Sequence, residues 1–85
     1  MAFSAQYSKQ AKRVLRDADR ILAKRLLAKI GELEQNPFLT DVKRVEGYAE
    51  KIFRVRVGDY RILYEVDHQT NVVGIIKIDK RSQVY

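Results

Sequence analysis

The chain contains no cysteine, a single histidine and a single proline. Without cysteine, disulfides, iron–sulfur clusters and cysteine-based zinc sites are excluded. His68 alone leaves almost no route to a transition-metal site, which draws on several imidazole, thiolate or carboxylate ligands. No apolar run approaches the roughly 18–20 residues that span a bilayer. The opening "MAFSAQYSKQ" lacks the pattern of a secretory signal. The expectation is a cytoplasmic protein with no cofactor and no metal.

What is present suits one small globular domain over residues 1–85, with 46% hydrophobic and 33% charged residues. A chain this short buries only about 60% of its unfolded surface, so its stability is modest and a partner matters to it. Seventeen basic residues against eleven acidic ones give a net charge of +6. That excess favours a polyanionic partner such as RNA, DNA, an acidic protein or an anionic surface. The competing reading is a basic balance with no specific purpose.

Local patterns divide the chain into two halves. Alternation in "AFSAQY" predicts a strand over 2–7. Ser8 is suited to cap a helix through "KQAKRVLRDA", and Asp17 or Asp19 a second one through "RILAKRLLAKIGELEQ". Leu22, Leu26, Ile30 and Leu33 recur at helical spacing, with Leu27 beside them. Asn36-Pro37 ends that helix, because proline does not continue it. Gly31, which costs about 1 kcal/mol against alanine in a helix, is read as a point of close packing on a sheet. The pattern allows a short strand at Lys43–Val45 and a turn at Gly47. Strands over 51–57, 60–66 and 72–80 follow. The order βααβββ, with one optional short strand, is that of an α+β domain: two helices on one face of a mostly antiparallel, twisted sheet.

The stretch "KIFRVRVGDYRILYEV" reads as a hairpin closed by Gly58-Asp59, glycine at the first central position suiting a type II′ turn. That register pairs Val57 with Tyr60, Val55 with Ile62 and Phe53 with Tyr64, all on one apolar face. It also sets Arg56 opposite Arg61, a like-charge pair that costs a few tenths to about 1 kcal/mol. For the third strand, a five-residue loop over 67–71 pairs Val72, Gly74, Ile76 and Ile78 with Val66, Tyr64, Ile62 and Tyr60. A four-residue loop is rejected because it turns Lys77 into the core. Lys77 then stands opposite Arg61, and Arg81 joins them if the strand continues. Arg54, Arg56, Arg61, Lys77 and Arg81 thus share an outer face with only Glu65 and Asp79 opposing them. A solvated face protected by basic side chains accounts for part of this. Arginines at paired central positions fit a phosphate-facing site better, since guanidinium forks grip phosphate oxygens in pairs. The helical set Lys12, Arg13, Arg16, Arg20, Lys24, Arg25 and Lys29 is chiefly the wet side of amphipathic helices.

"IFRVRVGDYRILYEV" followed by "VVGIIKIDKRSQVY" resembles the RelE branch of the RelE/ParE toxin superfamily, and the βααβββ order matches over nearly the whole chain. The specific pieces are the strand–glycine–strand element with Tyr60-Arg61 and a C-terminal basic-x-x-Val-Tyr. The resemblance implies a RelE-like fold of the microbial ribonuclease type and a toxin of a type II toxin–antitoxin pair. It implies ribosome-dependent cleavage of messenger RNA without a metal, by attack of a 2′-hydroxyl on the adjacent phosphate. By position, Arg54, Arg61 and Arg81 match the basic residues of the site, and Tyr85 the tyrosine that stacks on a base. Arg56, Lys51, Lys77 and Lys80 complete the RNA-binding set. The implied partners are a RelB-like antitoxin, the ribosome and messenger RNA, with no membrane and no small-molecule cofactor.

The chemistry fits these residues. Attack by a 2′-hydroxyl adds negative charge to the phosphate, which a preorganised arginine cluster stabilises. Some relatives place a lysine, glutamate or C-terminal histidine where acid–base work is done; here the strand position is Arg54. With a pKa above about 12, arginine is a poor general base. Lys51, Lys77 and Lys80 are the candidates, the alternative being that the ribosome supplies geometry and this protein electrostatics. His68 falls in a loop away from the cluster. Two other functions stay open: a ParE-like inhibitor of DNA gyrase, and a binding relative that does not cleave.

Overall fold

In the computed structural model, which describes residues 2–38, 42–45 and 51–80, Ser8 joins the first strand to the first helix. Its hydroxyl accepts from the Ala11 N–H at 3.1 Å and so caps α1, Lys9–Asp17. Asp19 does the same for α2, Arg20–Gln35, accepting from Leu22 N–H at 2.8 Å; of the two aspartates expected there, the nearer one caps. The helix ends at Asn36, before Pro37.

Five strands form one sheet in the order β1-β5-β4-β3-β2. They are β1 Ser4–Tyr7, β2 Lys43–Val45, β3 Ile52–Val57, β4 Tyr60–Asp67 and β5 Val72–Lys80. β1 runs parallel to β5, and the other neighbours are antiparallel. The short strand allowed at Lys43–Val45 is present at one edge. Leu26, Ile30 and Leu33 of α2 and Ala11 of α1 cover the inward residues Val55, Val57, Ile62, Tyr64, Val73, Ile75 and Ile78. Leu22 packs at the margin of this core, whereas Leu27 is 48% exposed and lies outside it.

Gly31 departs from its expected role. A methyl group built at Gly31 meets nothing within 4 Å, so the glycine does not mark a close approach. Gly31→Ala is therefore expected to stabilise the protein by about 1 kcal/mol through helix propensity alone. Calorimetry should show a melting temperature higher by about 4–8 °C, the usual scale for a domain of this size. A lower melting temperature would show that the glycine is needed for packing after all.

The Gly58-Asp59 turn has the expected form, with Gly58 at φ +58° and the register Arg56↔Arg61, Val55↔Ile62, Phe53↔Tyr64. The β4–β5 pairing differs from expectation. The loop is the four-residue one, 68–71, with Asp67 opposite Val72 and Val66 opposite Val73. Uninterrupted, that register would turn Lys77 inward. A β-bulge intervenes: Tyr64 pairs with Ile75 but Leu63 with Lys77, leaving Ile76 as the extra residue. Past the bulge, Ile78 faces the core and Lys77 the outside.

α1 stabilises the bulged strand. Ser8 donates its N–H to Ile75 O at 2.9 Å and its hydroxyl to Ile76 O at 2.6 Å. The Gln10 side-chain amide then donates to Ile78 O at 2.8 Å and accepts from Ile78 N–H at 2.9 Å. Where β1 stops, α1 thus supplies the partners β5 would otherwise lack. At the other side of β1, Phe3 N–H reaches Glu34 O at 2.6 Å and Ala5 N–H reaches the Glu34 carboxylate at 2.8 Å. Burial, and then this carboxylate, push the neighbouring Tyr7 phenol above its ordinary range.

His68 belongs to packing. It stacks on Phe38 with ring centroids 5.7 Å apart and meets Phe3 edge-on at 6.1 Å. Phe38 in turn meets Phe53 at 5.5 Å. In the same loop, Asp67 Oδ1 accepts from the Gln69 and Thr70 N–H groups. The Gln69 bond first, then those to Thr70, hold the Asp67 carboxyl below the usual range. Asn71 takes the left-handed φ of +56° that closes the loop.

Candidate nucleic-acid interface

Alternation along β3 sends Arg54 and Arg56 away from the helices, and both are exposed. The hairpin places Arg61 directly across from Arg56. The β2 register then puts Lys43 opposite Arg54, and the β4–β5 register puts Lys77 opposite Leu63, which is Arg54's other neighbour. Two cross-strand rows result: Lys43, Arg54, Leu63, Lys77; and Arg56, Arg61, Asp79. Ile52 and Leu63 lie buried on this same outer face, at 3% and 6% exposure, although neither belongs to the main core. Charges standing beside such apolar surface interact more strongly than in open water.

The bulge changes the partner of Arg61. Lys77 was expected across from it; Asp79 stands there instead. Arg61 Nε donates to Asp79 Oδ1 at 2.9 Å, both side chains being only about one-fifth exposed, 19% and 20%. Lys77 Nζ lies 3.7 Å from Asp79 Oδ2. The Arg56–Arg61 opposition is thus relieved within the chain, and the like-charge pair does not by itself demand an external anion. Among the described residues, no carboxylate pairs with Arg54, Arg56 or Lys43.

Of the residues expected to bind RNA, Arg54, Arg56, Arg61 and Lys77 are brought together. Lys80 is not. It pairs with Tyr60, an inward position, and lines a shallow groove of the helical side with Arg20, Asp19 and Arg25. Lys51 is exposed just before β3, where the alternation assigns it to the side of Phe53 rather than that of Arg54. Arg81 and Tyr85 lie outside the described residues, as does the turn expected at Gly47. Lys43 is the cation that the sequence did not reveal; only the β2–β3 register brings it to Arg54. Among the described residues, no three His, Asp or Glu side chains gather as metal ligands.

The profile of the ParE toxins of type II toxin–antitoxin systems, parDE, matches residues 4–85. The chain belongs to the RelE/ParE superfamily of type II toxins. It is 30% identical to RelE1 of Methanocaldococcus jannaschii over 88 aligned positions, covering 100% of this chain and 97% of that protein. Toxin RelG of Mycobacterium tuberculosis is 29% identical over 86 positions, with coverage of 100% and 98%. The archaeal RelE–RelB complex of Pyrococcus horikoshii contains a chain that superposes with a TM-score of 0.83 at 28% identity, over 99% of this chain and 100% of that one. The two helices on a mixed five-stranded sheet are the architecture of RelE toxins. No helix among the described residues is long and apolar enough to cross a membrane.

Proposed function

We propose that this RelE/ParE-superfamily toxin is a ribosome-dependent endoribonuclease that cleaves messenger RNA without a metal and thereby stops translation. The observation that carries this reading is the outer-face cluster of Lys43, Arg54, Arg56, Arg61 and Lys77 on four adjacent strands. In the reaction, the 2′-oxygen forms a bond to the adjacent phosphorus and the bond from phosphorus to the 5′-oxygen breaks. The products are a 2′,3′-cyclic phosphate and a 5′-hydroxyl. The 2′-hydroxyl gives up its proton and the departing 5′-oxygen gains one. Arg54 and Arg56 stabilise the charge that builds on the phosphoryl oxygens. Of the candidates Lys51, Lys77 and Lys80, Lys77 alone lies on this face and is assigned the proton transfer, and Arg81 and Tyr85 are assigned phosphate and base contacts from the family resemblance.

A RelB-like antitoxin is the proposed partner, supported by the relatives solved as RelE–RelB complexes. Acidic side chains laid on the cation rows, or displacement of the C-terminal residues, would neutralise the toxin. Primer extension on translated messages tests the activity. Discrete cuts are expected with the wild-type chain, disappearing when Arg61→Ala and Arg81→Ala are combined. Unchanged cutting would remove the mechanism.

The match to ParE toxins favours one second reading, inhibition of DNA gyrase. It uses the same scaffold without a cleavage site. A supercoiling assay with purified gyrase separates the two: inhibition with no cut RNA supports the second. Salt-sensitive RNA binding with neither activity would indicate a binding relative.

A further inference from the structure

Asp79 is an acid in the midst of a cation cluster, and its geometry is specific. It contacts Arg61 through Nε alone among the guanidinium nitrogens. Of the five N–H donors of arginine, one is therefore engaged and the four on the two terminal nitrogens have no partner among the described residues. A carboxylate that gripped the guanidinium in bidentate fashion would form two parallel bonds and engage a terminal nitrogen. Asp79 instead holds the side chain by its inner edge. Its second oxygen faces Lys77 at 3.7 Å, so one carboxylate orients cations from two strands.

The backbone beneath Asp79 is itself fixed. Ile78, the preceding residue, is fully buried and has both its N–H and its carbonyl held by the Gln10 side chain. The β-bulge at Ile76 is what brings Asp79 opposite Arg61 in the first place. A continuous line of contacts thus runs from α1 through Ile78 and Asp79 to the guanidinium of Arg61. Arg56 stands on the other flank of Arg61 and repels it. Without Asp79, that repulsion is relieved by Arg61 swinging away.

We infer that Asp79 is a positioning residue that holds Arg61 beside Arg56 with its terminal nitrogens presented to an RNA phosphate. This rests on the cleavage reading above for its catalytic consequence, but not for its effect on RNA binding. The inference concerns how the cluster is organised: an internal anion lowers the total charge of the site and, in exchange, fixes its geometry. Removing that anion releases Arg61 from its place beside Arg56 and weakens the chemical step.

The test is a double-mutant cycle with Asp79→Asn, Arg61→Ala and the two combined, using the full chain, ribosomes and a defined message. Asp79→Asn is expected to lower kcat by about 10–100-fold while KM changes little, because the positioned guanidinium acts mainly on the transition state. In the Arg61→Ala background the same change should have no further effect on kcat. Asp79→Glu should restore part of the rate. In parallel, binding of the chain to single-stranded poly(U) is measured from low to moderate salt. Asp79→Asn should flatten the slope of log affinity against log salt by about 0.7, the loss of one positioned phosphate contact, and only while Arg61 is present.

Equal kcat in wild type and Asp79→Asn, or additive losses in the double variant, would overturn the inference while leaving the nuclease reading intact. If the wild-type chain cuts nothing, the nuclease reading fails and the salt slopes decide for Asp79 alone: an unchanged slope overturns it. Should Asp79→Asn melt early, Asp79→Glu takes its place in the cycle. A partial loss of kcat with glutamate that disappears in the Arg61→Ala background supports positioning, whereas a wild-type rate with glutamate, or a loss that persists without Arg61, overturns it.

Discussion

Tyr64→Ala is expected to lower the unfolding free energy by about 3–5 kcal/mol in urea titrations, the usual cost of truncating a buried aromatic. Tyr64 is completely buried on the central strand β4, packed among α2 and the inward residues of the sheet. At about 0.05–0.15 kcal/mol per residue, a chain of this length has roughly 4–13 kcal/mol in total, so the variant loses roughly a quarter of it or more. The hydroxyl adds a separable part. It donates to the Pro37 carbonyl at 2.6 Å, fastening the exit of α2 to the middle of the sheet. Pro37 is buried, so Tyr64→Phe leaves its carbonyl without that donor and should cost about 1–3 kcal/mol. A phenylalanine variant as stable as wild type would show that the ring alone does the work.

Arg54→Ala is expected to reduce ribosome-dependent cleavage by about 10²–10³-fold, the scale found when one charge-stabilising donor is removed from a developing oxyanion. Arg54 is chosen because no carboxylate among the described residues shares it, so its whole charge is available. Arg54→Glu with Arg56→Glu should go further and abolish binding to single-stranded RNA at moderate salt, measured by fluorescence anisotropy. Lys80→Ala supplies the contrast. Its partner across the strands is the inward-facing Tyr60, and its loss should leave both cleavage and binding near the wild-type level. Comparable losses from Lys80→Ala and Arg54→Ala would mean that net charge, not the outer face, governs activity.

The hairpin was legible in the sequence because a two-residue turn admits a single register and alternation then assigns every side chain to a face. The helix caps were legible for a similar reason: Ser8 and Asp19 each precede an amphipathic run, and their side chains act on donors three residues ahead. β5 was not. Strict period-two counting allowed only a five-residue loop, since the four-residue loop buried a lysine. The bulge at Ile76 rescues the shorter loop by adding one residue within the strand, and no composition signal announces it. The missed bulge carried consequences into the site. It exchanged Lys77 for Asp79 opposite Arg61, while Lys80, two residues past Ile78, falls on the helical side in either register. Lys43 escaped notice because no pattern in the sequence fixes the register of β2 against β3, on which its role depends. The arginine cluster was therefore recognised, while the carboxylate holding one of its members was seen only as an opposing charge.

Glu34 gives the fold a directional property. With its carbonyl and carboxylate taking up the outward Phe3 and Ala5 donors, the end of α2 seals the β1 margin against any incoming strand. Among the described strands, a visiting chain can lengthen the sheet only beyond Lys43–Val45. Among the described strands, copies of the protein consequently have no pair of open margins through which to join head to tail into a ribbon, and edge pairing is confined to the Lys43–Val45 side.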